Sequence, residues 1–422
     1  VLFVSLVLVY ILSLGVIPIS LMMFRALIGY FMLFPISWGI VGGTTIPTIL
    51  LHAFRIKKAV SLLRAHKKMI VIGITGSYGK TSTKEFLYTI LASKYRVLKT
   101  QASRNSPIGI AETILSDLRD DHEMFIVEMG AYRPGEIRTM CEMVRPDIGI
   151  VTAVNAQHQD LFKTIETTMS AKGELWASLS GKKIAIANTD NEFVRLMTRK
   201  IQKDTHLWAY HDVQRDMMSP PPQADFTYAK VKAELQKLAF TIQTKEGQKV
   251  LVQAPIQGAH FAANLTGAIA AAVAAGMSLA DAAKAAASCQ NVEKVLAISK
   301  GPGDSVLIND TFNNNPDAAE AAIRYLSQFQ KKKILVFQPM IELGNYSYDS
   351  HVRVGTVASD VCDEIILTNT NFYEGFAKGV ATRKTPPSFH VSQDPQTTAN
   401  MLKKQLASGD AVLFKGKEAE TI

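Results

Sequence analysis

The stretch Ile70-Val-Ile-Gly-Ile-Thr-Gly-Ser-Tyr-Gly-Lys-Thr-Ser-Thr83 constrains the fold more than any other. An apolar run enters a glycine-bearing turn, Lys80 and Thr81 stand at its exit, and a helix-like segment follows from Lys84 to Leu91. Strand, tight turn and helix in immediate succession form the unit from which parallel α/β sheets are built. Backbone N–H groups and the positive end of the helix converge at such a turn, which suits a phosphate. The lysine ammonium then reaches the outer phosphates, and the threonine hydroxyl stands where Mg2+ sits. The expected guest is a nucleoside triphosphate. The general form of this loop has a glycine where Ile74 stands, so only Gly76 and Gly79 bracket the turn.

The front of the chain is different in kind. Residues 1–54 carry one formal charge, Arg25, among runs such as Val1–Leu12 and Ile40–Phe54. A spanning helix needs about 20 apolar residues, so residues 1–54 are expected to form two membrane helices, or three short ones. Pro18, Pro35 and Pro47 would mark kinks or breaks. Residues 55–68 hold six Lys or Arg and no acid, a basic juxtamembrane segment that places the rest of the chain on the cytoplasmic side of the membrane. Of the formal +9, six come from this segment and one from Arg25, which leaves +2 for residues 69–422. The basicity is therefore local, and no nucleic-acid partner is expected. Cys141, Cys289 and Cys362 lie far apart without metal or redox spacing, as in a reducing compartment.

From Met69 onward, buried-strand runs (69–74, 124–127, 148–154, 183–187) alternate with helical stretches, the pattern of a doubly wound α/β core. Pro220-Pro-Pro222 interrupts it, residues 226–256 read as a β insertion at its flank, and an Ala-rich helix returns at His260–Ala275. The turn-rich Ser299–Asp304 suggests a boundary between a central domain, 69–298, and a smaller Rossmann-like domain, 299–422. Polar residues stand at the ends of successive expected strands: Glu128, Asn155 with His158, and Asn309-Asp310. Lys172 lies in a helical stretch, and Asn264 opens the Ala-rich helix. Ligands of doubly wound sheets bind at that edge.

With these residues in place the chain resembles the Mur ligases, the ATP-dependent amide-bond ligases of peptidoglycan precursor synthesis, and within them the branch that adds D-alanyl-D-alanine. The likeness rests on Thr75-Gly-Ser-Tyr-Gly-Lys-Thr-Ser82, Asn105-Ser-Pro-Ile-Gly109, Glu128-Met-Gly-Ala-Tyr-Arg-Pro-Gly-Glu-Ile137 and Arg145-Pro-Asp147. It continues through Asn155-Ala-Gln-His158, Ala171-Lys-Gly-Glu174, Asn188-Thr-Asp190, Gly258-Ala-His-Phe-Ala-Ala-Asn264 and Asn309-Asp-Thr-Phe-Asn-Asn-Asn-Pro316. Met340-Ile-Glu-Leu-Gly344, His351 and Lys415-Gly416 complete the series.

The resemblance implies ATP and two Mg2+ as cofactors, with Lys80, Glu128, His158 and Lys172 as the catalytic set. Gly76, Ser77, Gly79, Lys80, Thr81 and Ser82 would hold the phosphates, and Thr81 and Glu128 a first Mg2+. His158 and Lys172, the latter carbamylated by CO2 and so an anionic oxygen ligand, would serve a second. Asn264, Lys294 and Asp310 would face the nucleoside. Asn105, Asn155, Asn313, Asn315, Glu342, His351 and Lys415 would face the substrates, a muramoyl-peptide-like carboxylate and an amino acid or dipeptide amine.

Departures fall on the nucleoside and C-terminal sides. Lys294 replaces an arginine, Phe261 follows His260 where asparagine is usual, Gln338-Pro339 replaces Gly-Asp, and Lys417-Glu418 follows Lys415-Gly416. The membrane segment stands where the family has its UDP-substrate domain, so a Mur-type ligase for another acceptor, of the folylpolyglutamate or cyanophycin synthetase kind, is the alternative enzyme. A membrane scaffold with an inactive ligase fold is the alternative outside catalysis.

Overall fold

The computed structural model describes residues 19–101, 104–155, 162–181, 183–214, 224–392 and 394–422. By internal contacts the chain divides into residues 1–59 and 60–422.

The N-terminal helix is one continuous element, Ile19–Ala65, of 47 residues, about 70 Å long at ~1.5 Å per residue. It runs through positions 35 and 47, where breaks were expected, and its last turns absorb most of the basic segment. Polar or small residues, from Gly43, Thr44 and Thr45 to Thr48 and His52, interrupt the apolar run. Among the described residues no helix is long and apolar enough to cross a membrane, so the expected spanning helices find no support there. Residues 1–18, where the first was expected, lie outside the described residues. Phe24, Tyr30, Phe31, Trp38, Leu50 and Phe54 are all exposed.

The second unit contains two sheets. The first has nine strands: β1 Ile70–Thr75, β2 Val97–Lys99, β3 Met124–Glu128, β4 Ile148–Val151, β5 Ile184–Asn188, β6 His206–Asp212, β7 Phe226–Glu234, β8 Lys237–Thr244 and β9 Lys249–Ala254. Their order is β2-β3-β1-β4-β5-β6-β7-β8-β9. The strands from β2 to β7 pair parallel, and β7, β8 and β9 close the edge as antiparallel hairpins. The expected β insertion is therefore a continuation of the main sheet. β1 lies between β3 and β4: the connection from β1 runs to β2 on one side, the connection from β3 crosses to β4 on the other, and this reversal opens a crevice at the C-terminal end of β1. β4 stops at Val151, short of the expected 154, because residues 152–155 turn into the site.

The second sheet has six strands: β10 Ala297–Lys300, β11 Val306–Asp310, β12 Lys333–Phe337, β13 Glu364–Leu367, β14 Ser388–Val391 and β15 Ala411–Lys415, in the order β10-β11-β15-β12-β13-β14. β10 pairs antiparallel with β11. The turn-rich stretch expected at a domain boundary thus closes a hairpin within this sheet.

The helix after the glycine turn, Lys80–Ala92, buries Phe86, Leu87, Ile90 and Leu91. It packs on the Ala-rich helix Phe261–Ala274, whose small side chains permit close approach, with Phe86 and Phe261 edge to face at 5.8 Å. Burying a phenylalanine contributes about 1.5–3 kcal/mol, so this contact anchors the phosphate-loop helix to the rest of the domain.

Candidate active site

The turn from Gly76 to Gly79 is shaped by close contacts that only glycine permits. At Gly76, with φ +151°, a Cβ would sit 2.1 Å from Thr152 Oγ1. At Gly79, with φ +79°, it would sit 2.9 Å from Asn264 Oδ1. Thr152, after β4, grips the loop: its hydroxyl donates to Tyr78 O at 2.5 Å. Ser77 N–H donates to Ala153 O at 2.7 Å, and Asn155 N–H to Ser77 Oγ at 3.1 Å. The loop is thus clamped to the end of β4 while its remaining amides border the cleft.

Lys80 opens the helix and curls back, donating to Gly76 O at 2.7 Å and Ser77 O at 3.2 Å. Desolvation lowers its pKa, and the nearby Glu128 carboxylate opposes that effect. Thr81, one residue on, donates its hydroxyl to Glu128 Oε1 at 3.2 Å. Glu128 ends β3, the neighbour of β1, so the register Ile74 to Glu128 brings carboxylate and loop together. Asn105, expected near substrate, donates to the same Oε1 at 3.4 Å and lies against Gly130. Ser82 is largely buried, with its remaining surface on the cavity side.

Lys172 is 4 % exposed on the helix Ile165–Ala177. Desolvation first, then repulsion from Lys80, lowers its pKa to about 7. Near neutrality a substantial fraction of this amine is uncharged and nucleophilic, unlike a surface lysine. His158 lies outside the described residues.

A cavity of about 880 Å³ opens between the loop and the second sheet. Ser77, Gly79, Lys80, Thr81, Ser82, Asn105, Glu128 and Asn264 line one wall. Asp310, Asn313, Asn315, Glu342 and Lys415 line the other. Several of these are already engaged. Lys415, buried, donates to Asp310 Oδ2 at 2.7 Å and Asn313 O at 2.9 Å. Asp310 Oδ1 accepts from Leu296 N at 3.3 Å. The carboxylate expected to face the nucleoside is therefore half of a buried ion pair. Asn315 caps the helix Pro316–Leu326 through Ala318 N, and Asn155 Nδ2 donates to Asn315 Oδ1 at 3.4 Å and Asp317 Oδ2 at 3.0 Å.

Of the expected site residues that are described, Gly76, Asn155, Lys172, Lys294 and His351 do not line this cavity. Lys294 turns to Glu420, at 2.5 Å. His351 is fully buried, donating from Nδ1 to Ser347 O at 2.6 Å and accepting the Met340 N–H at Nε2 at 2.9 Å. It supports the Met340–Gly344 turn from beneath, with Phe372 stacked on its ring.

The sequence reading missed His260, Asp190, Tyr228 and Gln338 on the cavity wall. His260 is solvent-exposed at the cavity rim, and partial desolvation there, then the charge of Lys415, lowers its pKa. His260 precedes the Ala-rich helix within the quoted family segment, the one signal that could have found it.

No group of three or more His, Cys, Asp or Glu among the described residues could hold a metal on its own. One carboxylate beside one hydroxyl nonetheless fits Mg2+, which binds through one or two protein oxygens plus nucleotide phosphates and waters.

The fold and the loop define a two-domain phosphate-loop protein, and comparison with known proteins gives its kinship. The chain belongs to the Mur ligase family: it carries a Mur ligase middle domain over residues 74–272 and the Mur ligase C-terminal domain, described as the glutamate ligase domain, over 296–418. It is 32% identical over 290 residues to the UDP-N-acetylmuramoyl-tripeptide–D-alanyl-D-alanine ligase of Escherichia coli (strain K12), an alignment spanning 68% of this chain and 62% of that protein. The corresponding ligase of Bacillus subtilis (strain 168) is 27% identical over 347 residues, 82% of this chain and 72% of the relative. Among solved structures, MurF from Acinetobacter baumannii matches with a TM-score of 0.76 at 24% identity, covering 87% of this chain and 78% of that one. MurF from Thermotoga maritima in complex with ADP matches at 0.73, also 24% identical, covering 88% and 81%. These structural matches speak to the fold.

Proposed function

We propose that this chain is an ATP-dependent carboxylate–amine ligase of the MurF kind, joining D-alanyl-D-alanine to a muramoyl-tripeptide through an acyl phosphate. The observation that carries this reading is the placement of Lys80, Thr81 and Glu128 on one wall of a cavity whose other wall is the second sheet. The kinship supplies the substrate class. Loop amides and Lys80 bind the phosphates, Lys80 exchanging its two carbonyl contacts for phosphate oxygens. Thr81 and Glu128 hold Mg2+, which neutralises the phosphate charge when bound. The γ-phosphoryl passes to the acceptor carboxylate with release of ADP; the amine attacks the acyl carbonyl and loses a proton to solvent as the C–N bond forms, and the C–O bond breaks with its electron pair leaving on phosphate. Such a transfer asks the protein chiefly for positioning and charge complementarity.

Lys172 fits carbamylation: its neutral amine attacks CO2, losing a proton and leaving an anionic oxygen donor. The resemblance pairs it with His158 at a second Mg2+. We further propose that the N-terminal helix holds the ligase at the cytoplasmic face of a membrane. The single charge among residues 1–54, the exposed apolar side chains from Phe24 to Phe54 and the basic segment after them support this. Flotation of the full chain with anionic liposomes tests it, and a protein that stays with the soluble fraction refutes it.

ADP release is to be measured with UDP-muramoyl-tripeptide and D-alanyl-D-alanine, each alone and together. Turnover only with both is expected. Absence of ATP binding and of turnover would overturn the ligase reading.

A further inference from the structure

Lys84 follows Lys80 by one helical turn, on the same face of the helix Lys80–Ala92, and is fully buried. Buried lysines are rare unless paired. Its Nζ lies 3.2 Å from Glu128 Oε2 and 3.4 Å from Glu85 Oε1. These are ion pairs: among the described residues Nζ has no well-aligned hydrogen-bond acceptor. Glu85 also pairs with Lys99, whose ammonium sits 4.1 Å from the centre of the Tyr88 ring. A row of alternating charges thus runs Lys99, Glu85, Lys84, Glu128 towards the cavity.

Glu128 divides its two oxygens. Oε1 meets Thr81 Oγ1 and Asn105 Nδ2, and Oε2 meets Lys84. We propose that Lys84 is a positioning residue that occupies Glu128 Oε2, so that Oε1 alone is presented beside Thr81 as a ligand for the nucleotide-bound divalent cation. This rests on the reading of Thr81 and Glu128 as cation ligands. Packing alone gives no reason for a charge here. Phe86, Leu87 and Ile90 already seal the helix against its neighbours, and apolar replacement of a buried ion pair is often neutral for stability. A carboxylate that must offer one oxygen in one direction does need its other oxygen held, and partners of metal ligands act in this way.

The test uses the full chain with Mn2+ as the probe. Water-proton relaxation enhancement reports Mn2+ binding in the presence of ADP, and calorimetry in EDTA reports ADP binding without metal. Lys84→Met is expected to weaken Mn2+ binding by about 10–100-fold, with metal-free ADP affinity within about twofold of wild type. Lys84→Arg, which keeps the charge, should recover most of the loss. Lys84→Met combined with Glu128→Gln should bind Mn2+ no more weakly than Glu128→Gln alone.

Unchanged Mn2+ affinity in Lys84→Met, an equal loss of metal-free ADP affinity, or additive losses in the double variant would overturn the proposal. If Lys84→Met does not fold, Lys84→Gln is read by the same titrations and the same criteria. Failure of the wild-type chain to bind Mn2+ with ADP would instead remove the underlying cation site, an outcome distinct from a wild type that binds and a variant that binds equally well.

Discussion

Asp310 and Lys415 form the most consequential ion pair of the second sheet, and breaking it gives a sharp expectation. Asp310 is 5 % exposed and Lys415 1 %, with 2.7 Å between Oδ2 and Nζ. β11 and β15 are neighbours in register at these two residues, so the pair ties the ends of adjacent strands. Removing one partner from a buried pair leaves an uncompensated charge, at about 3–5 kcal/mol. Asp310→Ala also deprives Leu296 N–H of its acceptor, which for a buried donor adds about 1–3 kcal/mol. Asp310→Asn should fall lower, since Oδ1 can still accept from Leu296. Lys415→Met should resemble Asp310→Asn, and the double variant Asp310→Asn/Lys415→Met should be less destabilised than the sum of the singles. Urea unfolding followed by tryptophan fluorescence and circular dichroism gives the four free energies of the cycle. Single variants each costing under about 1 kcal/mol, well short of the buried-pair range, or strictly additive ones, would refute the argument.

Lys172→Ala should abolish turnover, and short-chain carboxylates should restore part of it by supplying the missing anion. With the Lys172 pKa lowered to about 7, the neutral amine predominates above pH 7. CO2-dependent reactivation of the decarbamylated enzyme should therefore level off above pH 7 and slow about tenfold per unit below it; a midpoint near 10.5 would show an ordinary lysine. Gly79→Ala should weaken ATP binding and cost about 1–2 kcal/mol for the left-handed backbone, checked by calorimetry and thermal melting; wild-type values for both would contradict the loop geometry. His351→Ala strands the Met340 N–H, for about 1–3 kcal/mol, and should leave metal-free ADP affinity intact; a selective loss of ADP binding would return His351 to the cavity wall.

The sequence conveyed the parts of this molecule whose cause is local. The apolar run before Gly76 and the glycines themselves dictate strand and turn, and β3 could be read because it is uniformly apolar up to Glu128. β2 is three residues long, and β6 has a short apolar stretch, Leu207–Tyr210, between His206 and His211-Asp212, so neither offers a clear period. Lys84 looks like a solvent-facing lysine in Thr-Ser-Thr-Lys-Glu, and only its position four residues after Lys80 hints otherwise. The role of Asp310 could not be read locally, because Lys415 lies 105 positions away. His351 and Lys294 show the limit of motif transfer: a residue can match a family position and still face the interior or a neighbouring acid.

The contacts around Asn155 have a mechanical meaning. Its backbone N–H holds Ser77 in the phosphate loop, and its side chain holds Asp317. Asp317 also accepts from Arg353 at 2.8 Å. Loop and second sheet are therefore two ends of one tether that is short and polar throughout. A nucleotide that displaces the loop pulls on the far wall, and a substrate that draws the far wall inward pulls on the loop. Linkage requires any effect carried through these contacts to be equal in free energy at both ends.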